Sequence, residues 1–560
     1  MGKWTKKERL SLLFWLAAVC AVCALPFANH DLAAGHDALF HILRIEGLAQ
    51  GLKGGAGWPQ PVYSLFCGGY GYAAGLFYPD LFLLPAALLR AAGLGPELAF
   101  KLEVLLFMLL AALFSYLAGR AVCRSHRGGL LVMILYSLCQ YHFANLYIRS
   151  ALGEIQAMAF LPLVVWGLYD LTEEDFKHPW LLCAGFTGLL LTHTISLALC
   201  GLLAVVWVLC RVRRVLKARI LLRLGGTAGV CLLLGAYYWA PLLEQFASDT
   251  FKVTTEPLTK LAYNVVPAGA FFSLQSYMAP GFSSLAMLAA GLIALALLYR
   301  RHKGGMWRAN AMGLALLAAG AVLAVLPLAG LIPWQVLDNT FLTSVQFPWR
   351  INMLSQFCLA LGCARLVTAL PGPRGWRPAV TAGAAFVLSL VNVVCLWGSL
   401  PALCNYPGNY FTSQRGETFY LVGQEWVPQG GDITEFAFEP NAQYTNQNGA
   451  FTGAYRPDGA FTLAFDGTAG AYGIPKLYYK GYTAVYTPAD GGRAAALPLH
   501  KDGAGRVELT VPAGLAPGSI TVRYAGTPVQ HVSACVSLLT LAALAVWALR
   551  RVKAKRTIVE

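Results

Sequence analysis

Asp37, His41 and Arg44 stand at i, i+4 and i+7 in the stretch GHDALFHILRIEGLAQGL, so a helix there places all three on one face. A carboxylate in that position could act as a general base or ligate a divalent cation. His41 could be a second ligand or could orient the acid, and Arg44 could clamp a phosphate. The alternative is a membrane-surface helix whose charges form an ordinary wet face. Four further places carry reactive types. Asp80 sits among apolar residues in FYPDLF, Arg149 and Glu154 flank the turn YIRSALGE, His193 lies in the polar tip THT, and Arg350 ends SVQFPWR. An acid as apolar in context as Asp80 needs a partner. Arg149 and Glu154 could simply pair with each other, His193 could be a satisfied structural residue, and Arg350 could snorkel to the interface or bind a lipid phosphate.

These residues have to be positioned by membrane spans. The chain of 560 residues is 57% hydrophobic and 12% charged, with a mean hydropathy of +0.56. That charge fraction is about half of what a soluble domain carries. Apolar runs recur that are long enough to cross a hydrocarbon layer of about 30 Å. Loop charge orients them, because Lys3, Lys6, Lys7 and Arg9 hold the N-terminus inside. Spans are expected at about 9–27, 98–120, 129–147, 152–170, two short ones within 179–210, 221–240, 279–300, 309–331, 351–370, 377–399 and 533–550. That makes about twelve, with both termini cytoplasmic and basic inner loops such as RVRRVLKAR and YRRHKGGMWR. The run from Leu10 to Phe27 is long for a cleavable leader and is read as a retained first span.

On this topology residues 1–399 form a transmembrane domain whose first outer loop, 28–97, carries surface helices. Residues 400–531 change character: alternating stretches such as AFTLAFDG, KLYYKGYTAVYT, GRVELTV and SITVRYAG predict a small extracytoplasmic β-sandwich-like domain. Residues 532–560 are a last span and a basic tail. All the candidate groups above then fall on one side of a multi-pass cell-membrane protein.

Other classes are excluded. The net charge of +15 belongs to the inner loops, and no basic–aromatic platform suggests nucleic acid. The 14 Cys lie mostly inside apolar runs without metal-ligand spacing. Cys67 and Cys404 are both expected outside and could pair.

From GHDALFHILRIEGL onward the chain resembles the GT-C membrane glycosyltransferases, which carry a catalytic acid in the first outer loop and use isoprenoid-phosphate sugars. The Asp37, His41, Arg44 pattern is similar to the first-loop motif of oligosaccharyltransferase catalytic subunits. A bacterial membrane family labelled 6-pyruvoyl-tetrahydropterin synthase-related is similar through HDALFHILRIEGL, GYGYAAGLFYPDLFLLPA, QFPWR and YLVGQEWVPQG. The chain lacks the three-His soluble zinc site of pterin synthases, so pterin chemistry is rejected.

The resemblance implies a GT-C-like helical fold and a polyprenyl-phosphate-sugar donor in the bilayer, with a glycan or envelope acceptor. Asp37 would be the base or would hold a metal with His41. His41 and Asp80 would support it, and Arg44, Arg149, Glu154, His193 and Arg350 would line the substrate. Asp37 lacks the adjacent second acid of the protein mannosyltransferases. The competing reading is a non-catalytic protein that transports or scaffolds envelope polymers.

Overall fold

The computed structural model describes residues 4–28, 32–33, 35–64, 66–256, 258–301, 306–370, 377–397, 405–406, 424–431, 444–446 and 449–557. Two compact units divide the chain. One comprises residues 1–41, 100–229 and 259–410, and the other residues 42–99, 230–258 and 411–560.

Helices dominate the first unit. Each of the twelve segments expected to cross the membrane is helical at its core, but only eight described helices in the whole chain are long and apolar enough to span. A ninth is added if the bent pair His126–Ser137 and Gln140–Arg149 counts as one. The expected count of twelve is therefore not met, and the reason is length. At 1.5 Å per residue a span needs about 20 residues, whereas Trp180–Leu190 has 11 and Thr194–Cys210 has 17. The chain is a multi-pass helical membrane protein with a small two-sheet β domain near its C-terminus.

The bent pair is the feature that shapes the first unit. Its helices diverge by 46°, which strands backbone N–H groups in an apolar setting where each unsatisfied one is costly. Side chains from other helices take them up. The Gln140 N–H donates to Ser283 Oγ at 3.3 Å and the Tyr141 N–H donates to Gln356 Oε1 at 3.0 Å. The second half then loosens into a π-turn over Ala144–Arg149 and ends at Ser150, whose φ is +51°.

In the second unit the wet-faced alternative for the expected surface helix does not hold. Ala38–Lys53, which starts in the first unit, is buried along most of its length: His41 is 2% and Arg44 1% exposed. Its spacing of apolar and polar residues reflects polar groups turned into protein, not into water.

The β domain follows from strict alternation. Along Phe461–Phe465 and Arg506–Val511 every second residue is buried, as a half-covered strand requires. Five antiparallel strands lie in the spatial order Gly453–Tyr455, Phe461–Phe465, Gly518–Tyr524, Tyr482–Pro488 and Ala495–Leu497. A second sheet orders Leu499–Lys501, Arg506–Val511 and Gly470–Leu477. Phe461, Leu463, Ile520 and Val522 of the first sheet share one core with Ile474, Val507 and Leu509 of the second. Much of the remaining 400–443 stretch lies outside the described residues, Cys404 included; Cys67 is a buried thiol.

One cation interrupts this apolar logic. Lys476 is 1% exposed, donates to the carbonyls of Gly69 and Gly459 at 2.8 Å each, and lies 4.7 Å from the Tyr455 ring centre. Burial pushes its amine down to about 7. Its folded value is depressed, so its contribution to stability is present at high pH and is lost as pH falls from about 10.5 through about 7. Lys476→Met should flatten the stability profile of the protein over that window, measured by thermal unfolding across pH. An unchanged slope would mean that the amine stays charged when folded.

Candidate functional site

Gly35 sets the position of Asp37. A Cβ at Gly35 would sit 2.2 Å from Ser150 Oγ, so only glycine lets the loop approach the π-turn this closely. With that clearance, the His36 and Asp37 N–H groups donate to the carbonyls of Ile148 and Arg149 at 3.2 and 2.8 Å. The first-loop acid is thereby fixed to the end of the broken helix by backbone alone, and its side chain is left over for other work.

Beneath it lies a buried charge cluster. Glu154, at the start of Leu152–Glu173, receives Arg149 Nη1 on one oxygen at 2.8 Å and Arg350 Nε on the other at 2.6 Å. Tyr141 Oη donates to the same carboxylate at 2.6 Å. Arg149 also donates to Asn145, one helical turn away, and its guanidinium lies 4.6 Å from the Trp349 ring centre. Arg350 donates to the Val345 carbonyl and to Gln346 Oε1 at 2.8 and 2.9 Å, and rests 4.8 Å from the Phe347 ring. The three side chains are 2%, 3% and 8% exposed.

Two cations against one anion leave a positive charge, and Asp37 is the group that faces it. Arg149 and Arg350 both act on the Asp37 carboxylate through space, yet no direct ion pair to it forms among the described residues. Burial pushes its carboxyl above the ordinary aspartate value, while the two arginines oppose that shift. The outcome is a half-buried carboxylate that is more basic than a solvated one and still held near cations.

His193 joins the cluster as a cap. Its Nδ1 accepts the Ser196 N–H at 3.2 Å at the start of Thr194–Cys210, and burial, aided by the two arginines, lowers its ring to about 3. It is a neutral, helix-terminating histidine.

The other sequence candidates have partners elsewhere. His41 packs its ring 5.3 Å from Phe40. Arg44 donates to the carbonyls of Tyr78 and Pro79 at 3.1 and 2.8 Å and lies 4.2 Å from the Tyr78 ring. Asp80 accepts from Trp58 Nε1 at 3.2 Å and Tyr63 Oη at 3.1 Å within the second unit. Burial raises Asp80 to about 6 against the pull of Arg44.

Sequence reasoning missed Tyr141, Asn145 and Gln346. The first two carried a legible signal, being polar residues inside an apolar run. Among the described residues, Asp170, Glu174 and His178 are the His, Cys, Asp or Glu groups close enough to share a metal ion. Asp37 and His41 are not part of such a trio.

No protein-family model matches the chain. An uncharacterized protein of Lactococcus lactis subsp. cremoris is 24% identical over 265 residues, which is 46% of this chain and 43% of that protein. The chain thus spans less than half the length of this curated relative. Among solved structures, the mycobacterial arabinofuranosyltransferase AftD superposes with a TM-score of 0.44 at 16% identity, over 70% of this chain and 27% of AftD. A mutant form of the same enzyme gives the same score over 28% of its length. Likenesses of this depth carry neither substrate nor activity to this chain.

Two outcomes test the site's electrostatics. Glu154→Gln strands two buried guanidiniums and should cost about 3–5 kcal/mol, seen as a clear fall in melting temperature in detergent; an unchanged melt would show that the arginines need no buried anion. For Asp80 the folded value is raised, so its stabilising contribution is full below about 4 and is lost as pH rises through about 6. Asp80→Asn should remove that decline from the thermal-unfolding profile; if the decline persists, another group is responsible.

Proposed function

We propose that this protein is a membrane glycosyltransferase that moves a sugar from a polyprenyl-phosphate donor to an acceptor hydroxyl, with Asp37 as the base. The observation that carries the reading is the half-buried Asp37 carboxylate, without an ion-pair partner among the described residues, set beside an arginine pair that another acid holds in place. Transfer with inversion forms a bond from the acceptor oxygen to the anomeric carbon and breaks the bond to the phosphate oxygen. The acceptor proton passes to Asp37, and the departing phosphate carries the negative charge. A base of raised pKa takes the proton more readily, and fixed guanidiniums stabilise the charge that develops on the phosphate. Arg350 and Arg149 supply that positive field.

The basic character of the expected inner loops supports a site on the extracytoplasmic face, where a polyprenyl-phosphate sugar would be consumed. Should a divalent cation take part, Asp37 is the carboxylate that would hold it, polarising the phosphate oxygen. The rival transport reading would require charges along a path through the bilayer, and the charges of the first unit's site are gathered in one cluster instead.

Asp37→Asn should lower the transfer rate about 10²–10⁴-fold, the range that a positioned base supplies, without loss of thermal stability. Transfer would be followed with a panel of lipid-phosphate sugars. In the parent protein the acidic limb of the rate profile should lie above the ordinary aspartate pKa, because stability of the neutral acid delays ionisation. Full activity in Asp37→Asn removes this residue from the mechanism.

A further inference from the structure

An aromatic chain runs from the surface to the arginine cluster. The exposed His36 ring meets Tyr277 at 5.4 Å and 80°, and Tyr277 meets the buried Trp349 at 5.7 Å and 88°. Trp349 in turn lies under Arg149 and stacks on Phe347 at 4.9 Å. Its Nε1 is buried without a hydrogen-bond partner, a state that protein interiors tolerate rarely. His36 immediately precedes the proposed base.

Tyr277 is held in place from both sides. The carbonyl before it, on Ser276, accepts Gln140 Nε2 at 2.6 Å, and the one after it, on Met278, accepts Asn352 Nδ2 at 2.9 Å. Pro280 accepts Gln356 Nε2 at 2.8 Å. Gly281, at φ +77°, allows Gln140 to reach this segment, since a Cβ there would meet Gln140 Oε1 at 1.8 Å. Gln140, at the broken helix, and Gln356, whose side chain takes up the freed Tyr141 N–H, therefore immobilise a half-buried tyrosine beside the site. A rigid ring with two rotatable bonds binds at low entropic cost.

We propose that the Tyr277 ring, with the His36 ring set across it at 80° as a side wall, is the face on which the sugar ring of the lipid-linked donor stacks. This rests on the glycosyltransferase reading and assigns the part of the donor that the arginines cannot recognise. Aromatic faces are electron-rich and attract the C–H face of a pyranose or furanose. The ring hydroxyls then point to Asp37, while the phosphate lies in the positive field of Arg149 and Arg350. A few polar groups around an aromatic wall is the usual composition of a small-ligand site.

The test uses the full chain in lipid nanodiscs and two kinds of probe. One is bare polyprenyl phosphate; the other is a panel of the same lipid phosphate bearing glucose, galactose, mannose or arabinofuranose. At least one sugar-bearing lipid should bind more tightly than the bare one. Tyr277→Ala should weaken that lipid about tenfold and leave the bare lipid unchanged, while Tyr277→Phe keeps the preference. Equal loss for both probes would make Tyr277 an ordinary membrane-belt ring and overturn the proposal, as would no loss for either. If no sugar improves on the bare lipid, the platform falls while the arginine site stands. Failure of the parent protein to bind any of the probes removes the glycosyltransferase reading with it.

Discussion

A single carboxylate between two guanidiniums organises the first unit. Glu154 takes one arginine on each oxygen, and the partners come from far apart in the chain: Arg149 is five residues away and Arg350 is 196. Burying three charges is expensive unless each finds several donors or acceptors. Here every one does, through Tyr141, Asn145, Gln346, the Val345 carbonyl and two aromatic faces. The odd positive charge that remains is what gives the neighbouring Asp37 its electrostatic setting.

The break in the helix between Ser137 and Gln140 serves the same arrangement. A straight span would carry Arg149 past Glu154 on a regular spiral. The bend and π-turn instead bring the chain back on itself at Ser150, so residues on either side of a tight turn can share a hydrogen-bond network. Pairing irregular backbone with side chains of neighbouring helices is how membrane proteins accommodate such breaks. Gln356 works twice, accepting from Tyr141 at the break and donating to Pro280 after Tyr277, while Gln140, its own N–H held by Ser283, turns its side chain to Ser276.

What was legible in the sequence divides along physical lines. Hydropathy located every long helix because solvent exclusion leaves a strong one-dimensional signal, and alternation located the β domain for the same reason. The turn at Arg149 and Glu154 was readable as a pair by spacing. The meeting of Arg350 with that pair was not, because it depends on three-dimensional packing of helices distant in the chain. Helix 38–53 was misjudged since the pattern shows which residues share a face and not what covers it. His41 and Arg44 were therefore readable either as site groups or as a wet face, whereas both are buried in protein. The short helices 180–190 and 194–210 were read as spans from apolarity, which composition reports and length does not support.

The five-residue separation of Arg149 and Glu154 also bears on how the protein enters a bilayer. Their helices form a hairpin, and both charges sit near its apex, which would have to cross the apolar layer during insertion. Because they are near neighbours, they can neutralise each other while the hairpin is still the youngest part of the growing chain. Arg350 is made some two hundred residues later and joins a seat already half filled. The order of synthesis thus matches the order in which the charges can be sheltered, and the late arrival completes the cluster once the hairpin that holds its partners is already made.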